Sequence, residues 1–273
     1  MPDVDFLSSW HSKLVLPLGQ LWLTLKAICC LTFHHMPLQT VEPQRLYRQI
    51  AEQVRALIAS GEFSTGDRLP AERDLAKQLG VSRPSVREAL IALEVEGWIE
   101  VRTGSGVYVL DRTKQRGKTR TTIPDAEWGP LELIRARRVV EGEIAALAAQ
   151  HAKRPHIKAM RDAVVYMTED ADRNVAPLLG DRAFHTAVAQ ACDNVVLLET
   201  VQTFWDARRG PLFERLGDYF ESVPSWRLAI AEHEAVIAAI QARDAAGARA
   251  AMQSHMDYSH SRFSASWRRA NSS

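Results

Sequence analysis

Along most of this chain apolar residues return every three to four positions, the period of a helix with one buried face. Within residues 43–60, Leu46, Ile50, Val54, Leu57 and Ile58 form such a stripe, and Gly61 stops it. The turn-rich GEFSTGDRLP follows. A short helix is predicted from Ala71 to Leu79, with Leu75, Ala76 and Leu79 on one face and Gly80 at its end. Ser82 is a favoured N-cap for a third helix reaching Glu96, with Val86, Leu90 and Leu93 inward. Pro84 falls in its first turn, where the missing N–H is tolerated. The period then changes. Trp98–Val101 and Val107–Leu110 are β-prone runs around Arg102-Thr103-Gly104-Ser105-Gly106, which reads as a small hairpin. From Leu131 the helical period returns in Ala-rich runs over 131–151, 156–172, 177–192, 195–209, 211–220, 225–243 and 244–268. The expected fold is mainly α: an N-terminal winged helix-turn-helix with a β-hairpin wing, then an all-α bundle of six to seven helices.

These patterns divide the chain. Residues 1–35 read as a disordered or mis-started extension, 36–110 as the winged domain, 111–129 as a linker, 130–268 as the helical domain and 269–273 as a tail. The apolar stretch from Leu14 to Phe33 is broken by Pro17, Gly19, Gln20 and Lys26, so no membrane span is expected. It also lacks the basic start and small-residue cleavage site of a signal peptide. Met36 is an alternative start. In the linker Arg112, Lys114, Arg116, Lys118 and Arg120 alternate with polar residues. The three cysteines have no framework spacing, which suggests a reducing, cytoplasmic (nucleoid-associated) setting.

Composition narrows the function classes. The 273 residues carry 34 Lys plus Arg and 33 Asp plus Glu, a net charge of +1. That argues against coating nucleic acid by bulk attraction, but not against a local basic patch. Between Met36 and Arg112 there are 10 basic and 11 acidic residues, so arginines there matter by position rather than number. In a helix-turn-helix the start of the second helix enters the major groove, which here presents Arg83, Ser85 and Arg87. Arginine reads guanine through a two-pronged contact, and Ser82 and Ser85 can reach phosphates or base edges. Arg73 can approach from the preceding helix. Thr103 and Gly104 at the wing tip offer small side chains and free backbone N–H groups. The plain alternative for each arginine is a solvated helix face.

The run LPAERDLAKQLGVSRPSVREALIALEVEGWIEVRTGSGVYV resembles the winged-helix signature of GntR-family bacterial transcription regulators. The resemblance implies operator contacts for Arg73, Arg83, Arg87 and Gly104. Ser82 and Ser85 stand where relatives carry Thr or Ser. Pro84 occupies a variable position and bears on base preference.

In the helical half, Asp181 and His185 lie four apart in GDRAFHTAVAQA and leave one helix face. His233 and His255 each interrupt a later amphipathic helix. One carboxylate and three imidazoles from three helices can converge on one metal, though a lone buried histidine is more often just a hydrogen-bonded core residue. The stretches LIRARRVVEGEIAALAA, DRAFHTAVAQACDN, EHEAVIAAIQARD and AMQSHM resemble the FCD effector domain of the FadR subfamily. That resemblance implies a divalent metal, often zinc, on Asp181, His185, His233 and His255, and disfavours an acyl-CoA ligand. It implies effector contact for Arg137 and a structural role for Glu141. VQTFWDARRGPLFERL, with Trp205 and Arg208, looks like the hexuronate and sugar-acid regulators of the subfamily. Core packing for Trp205 and solvated charge for Arg208 are the plain alternatives. Arg135 stands where relatives are usually acidic.

The expected protein is a homodimeric, non-enzymatic repressor that binds a palindromic double-stranded operator and releases it to a small organic acid. The rival is a metalloenzyme acting on such an acid. It lacks an evident general base, because Glu232 and Glu234 flank His233 and point away from it.

Overall fold

The computed structural model describes residues 45–111, 123–124 and 127–264. The expected extension, the basic residues of the linker and the tail lie outside them. The winged part has α1 (Leu46–Ala59), α2 (Glu72–Leu79), α3 (Arg83–Val95), β1 (Ile99–Arg102) and β2 (Gly106–Val109). Tyr47, Ile50, Ala51 and Val54 of α1 pack on the apolar face of α3. Gly80 ends α2 with φ +66°, a left-handed conformation that costs glycine little. The Ser82 side chain accepts from the Ser85 N–H at 3.3 Å and so caps α3, with Pro84 in the first turn. In the antiparallel hairpin Ile99 pairs with Val109 and Val101 with Val107, which turns these four inward. Leu69 N–H donates to the Val107 carbonyl, so the stretch before α2 clasps the outer edge of the wing.

Seven helices build the second part: α4 (Pro130–His151), α5 (Arg154–Asp172), α6 (Leu178–Ala191), α7 (Val195–Ala207), α8 (Pro211–Phe220), α9 (Val223–Gln241) and α10 (Ala245–Ser264). Helices α5 and α9 begin two residues earlier than the pattern predicts. Pro155 and Pro224 sit inside the first turns of α5 and α9, where a proline satisfies helical φ and forfeits no bond. The centre is α4. Its Leu131, Ile134, Ile144, Ala145, Ala148 and Ala149 are buried, and small alanines let α10 lie close along it. Helices α6, α7 and α9 complete the shell around α4.

The two parts join through α3. The Glu88 side chain of α3 reaches the start of α4 and accepts from Leu131 N–H at 2.6 Å, which satisfies a donor that a helix start leaves unpaired. Burial pushes this carboxyl up to about 7 despite those backbone donors. Glu94, nearer the end of α3, is held by Arg215 at 3.0 Å and by the Tyr219 hydroxyl at 2.7 Å, both on α8.

Candidate functional site

One turn of α6 sets Asp181 and His185 on the same inward face, α9 brings His233, and α10 brings His255. All three histidines are buried. Asp181 Oδ1 lies 3.3 Å from His185 Nε2 and 3.5 Å from His233 Nε2, and the latter lies 3.2 Å from His255 Nε2. One ligand atom from each of the four residues falls within 4.8 Å of the others. Donors about 2 Å from a common ion stand about 3–4 Å apart, so the set fits a divalent metal. Asp181 Oδ1 and His185 Nε2 are buried without a hydrogen-bond partner, a costly arrangement that a cation relieves.

A second layer of charges orients this set. His185 Nδ1 meets Glu141 Oε2, and Glu141 accepts from Arg137 Nε at 2.6 Å. His255 Nδ1 meets Glu232 Oε2 at 2.8 Å, and Glu232 accepts from Arg262 at 2.8 Å. Carboxylates on Nδ1 favour the tautomer in which Nε2 could serve as a metal ligand. Asp181 Oδ2 accepts from Arg208 at 3.0 Å, which leaves Oδ1 to face the imidazoles. Burial opposes ionisation of Asp181 and Glu141, but nearby His185 with Arg208 or Arg137 holds both carboxyls well below their usual range. Burial pushes His233 and His255 well down, so both are neutral at neutral pH. Burial also acts against charge on His185, yet Glu141 and Asp181 raise it overall.

Arg208 stands between two spaces. Inward lies a cavity of about 50 Å³ lined by Arg137, Asp181, His255 and Arg262. Outward lies an open cleft of about 520 Å³ lined by Trp205, Phe213, Glu221 and Trp226. The Arg208 and Arg137 guanidinium groups lie 4.3 and 4.8 Å from the Trp205 ring centre. Arg137 Nη2 and Trp205 Nε1 are buried donors with no partner. The structure therefore brings Arg137, Trp205 and Arg208 together beside the four candidate ligands. Sequence reasoning missed Glu232 and Arg262. Glu232 does point away from His233, as helical geometry requires, but it turns to His255 on the neighbouring helix.

On the winged part, Arg73 and Arg83 have side chains 83% and 52% exposed. With Arg68, Gly104 and Gly106 they line one groove of about 170 Å³ between α2, α3 and the wing. Arg68, which bridges to Tyr108 of the wing, carried no sequence signal. Ser82 is exposed, Thr103 is half-buried and Gly104 has φ +77° at the wing tip. Ser85 is buried, its hydroxyl 2.9 Å from that of Ser82 in the helix cap. Arg87 departs most from expectation. Its guanidinium is 1% exposed, grips Glu72 at 2.8 and 2.6 Å, and donates to the Phe263 carbonyl at 3.1 Å. In this arrangement Arg87 faces no groove, because Glu72 and the end of α10 hold it.

Comparison with known proteins places these features. The family model "Bacterial regulatory proteins, gntR family" matches residues 46–109, and that of the FCD domain matches 132–258. The Escherichia coli K12 Uxu operon transcriptional regulator is 37% identical over 78% of this chain and 85% of its own. The Exu regulon transcriptional regulator of the same organism is 35% identical, over 81% and 85%. Its Putative L-lactate dehydrogenase operon regulatory protein is 35% identical, over 81% and 87%. These relatives are regulators rather than enzymes, and Glu141 and Glu232 are engaged by arginines rather than placed as general bases. Among the described residues no helix is long and apolar enough to cross a membrane.

Proposed function

Because this chain belongs to the GntR family of bacterial regulators and carries an FCD domain, we propose that it is a cytoplasmic, homodimeric repressor of sugar-acid genes. It reads a palindromic operator with Arg73, Ser82, Arg83, Thr103 and Gly104. Ser85 supports the reading helix as part of its cap. A divalent metal, with zinc the first choice for a three-imidazole, one-carboxylate set, is held by Asp181, His185, His233 and His255.

One observation carries this reading: four ligand atoms converge beside unpartnered donors on Arg137 and Trp205. A bound metal would supply open coordination positions for a carboxylate and an adjacent hydroxyl. Arg137 and Arg208 would pair the carboxylate, and Trp205 Nε1 would donate to it. The named relatives favour this class, since the Uxu and Exu systems suggest hexuronates and the lactate-related protein another 2-hydroxy acid. The ligand must bind the DNA-free arrangement better, or it shifts nothing.

The test is a thermal-shift screen of D-glucuronate, D-galacturonate, D-fructuronate and L-lactate on protein with and without Zn²⁺. A metal-dependent rise in Tm is expected for at least one hexuronate. The double substitution Asp181→Ala, His185→Ala should abolish the rise and spare operator binding. A rise that survives it would overturn the site.

A further inference from the structure

Helix α10 carries, within nine residues, a candidate ligand and the carbonyl that holds Arg87. His255 reaches the metal set with Nε2 and Glu232 with Nδ1. Arg262, seven residues on and so on the same helix face, closes on Glu232 with Nη1 at 2.8 Å and Nη2 at 3.3 Å. The next residue is Phe263. Its ring is buried in the core, and its backbone carbonyl faces α3. Arg87 donates to that carbonyl at 3.1 Å. The same guanidinium lies 5.5 Å from the Phe220 ring and grips Glu72, which also stands 3.8 Å from Arg83. The arginine on the second turn of the reading helix is thus fastened to the effector domain.

We propose that Glu232 and Arg262 are positioning residues that lock His255 to the end of α10, so that filling the metal centre steadies this end in its hold on Arg87. The inference rests on the metal site proposed above. Filling the centre fixes His255, and Glu232 then has one orientation. Arg262 is held with it, and the Phe263 carbonyl is presented to Arg87 without freedom to retreat. A contact whose hold depends on the filling of a distant site couples the two.

The experiment uses the full chain with Zn²⁺ alone as probe. Hydrogen–deuterium exchange is followed in peptides covering 83–95 and 255–264, alongside Zn²⁺ affinity by calorimetry. In the wild type, Zn²⁺ is expected to slow exchange in both peptides. In Arg262→Gln, Zn²⁺ affinity should stay within about threefold, because no ligand is lost, while the response at 83–95 disappears. Arg262→Lys should restore part of it. Glu232→Gln should weaken Zn²⁺ by about 10–100-fold, the usual cost of losing an outer partner of a ligating histidine. If Arg262→Gln fails to fold, Arg262→Lys against wild type carries the comparison. Wild type that binds Zn²⁺ without a change at 83–95, or an Arg262→Gln or Arg262→Lys protein that keeps the full change, would overturn the coupling. Wild type that binds no Zn²⁺ would overturn the metal site itself, and the coupling with it.

Discussion

At the scale of single residues, the candidate metal centre is a set of buried groups whose protonation its neighbours decide. Burial pushes His233 and His255 down, so they meet a metal already neutral. Asp181 is held ionised by His185 and Arg208 against its burial. His185 is the exception, because Glu141 raises it above its usual value in spite of burial. Its Nε2 can ligate only after losing a proton, so metal binding and protonation compete. Metal affinity should therefore climb as pH rises and level off above the raised pKa of His185, with about one proton released per metal. Calorimetry in two buffers of different ionisation enthalpy would read that proton. The sequence showed the ligand types and their spacing, but not which carboxylates stand behind them. Glu232 lies 23 residues from His255, and only the packing of α9 on α10 joins them.

At the scale of elements, α6 delivers two ligands because it lies close against α5. Gly180, immediately before Asp181, allows that approach. A Cβ there would fall 3.0 Å from the Met167 backbone nitrogen and 3.1 Å from the Ala163 carbonyl oxygen. Backbone cannot rotate away as a side chain can, so Gly180→Ala should push the helices apart. A loss of about 1–3 kcal/mol of stability is expected, the usual range for overpacking, together with weaker metal binding as Asp181 shifts. Denaturant melts and Zn²⁺ titration would check both. Helix type and number were legible because apolar residues return at the helical period through most of these segments. Starts at Pro155 and Pro224 were not, since a proline reads equally well as a stop or as a first-turn residue.

At the scale of the whole molecule, α3, the helix proposed to read DNA, also forms the joint between the two parts. Glu88, Glu94 and Arg87 all leave α3 to meet helices of the bundle. Glu88 makes the joint sensitive to pH. Its carboxyl is raised from 4.5 to about 7 in the folded chain, so the folded state binds its proton more tightly than the unfolded state. The stability it contributes is complete below about 4.5 and is lost as pH rises through about 7. Glu88→Gln removes the charge and keeps an acceptor for Leu131 N–H. The variant should gain stability relative to wild type as pH rises from 5 to 8, by at most about 3 kcal/mol at one pKa unit per 1.36 kcal/mol. Parallel melts at several pH values would show a flat difference if burial of Glu88 were unimportant.

By itself the sequence determined the helical bundle, the winged motif and the four candidate ligands, because periodicity, caps and residue spacing are local properties. Tertiary structure decided which of the predicted DNA-reading residues stay available. Arg83 and Arg87 share one helix and look alike in sequence. Packing leaves the first half-exposed and buries the second between Glu72 and the end of a helix 176 residues away. No local pattern encodes that difference, since it depends on where the last turn of α10 comes to rest.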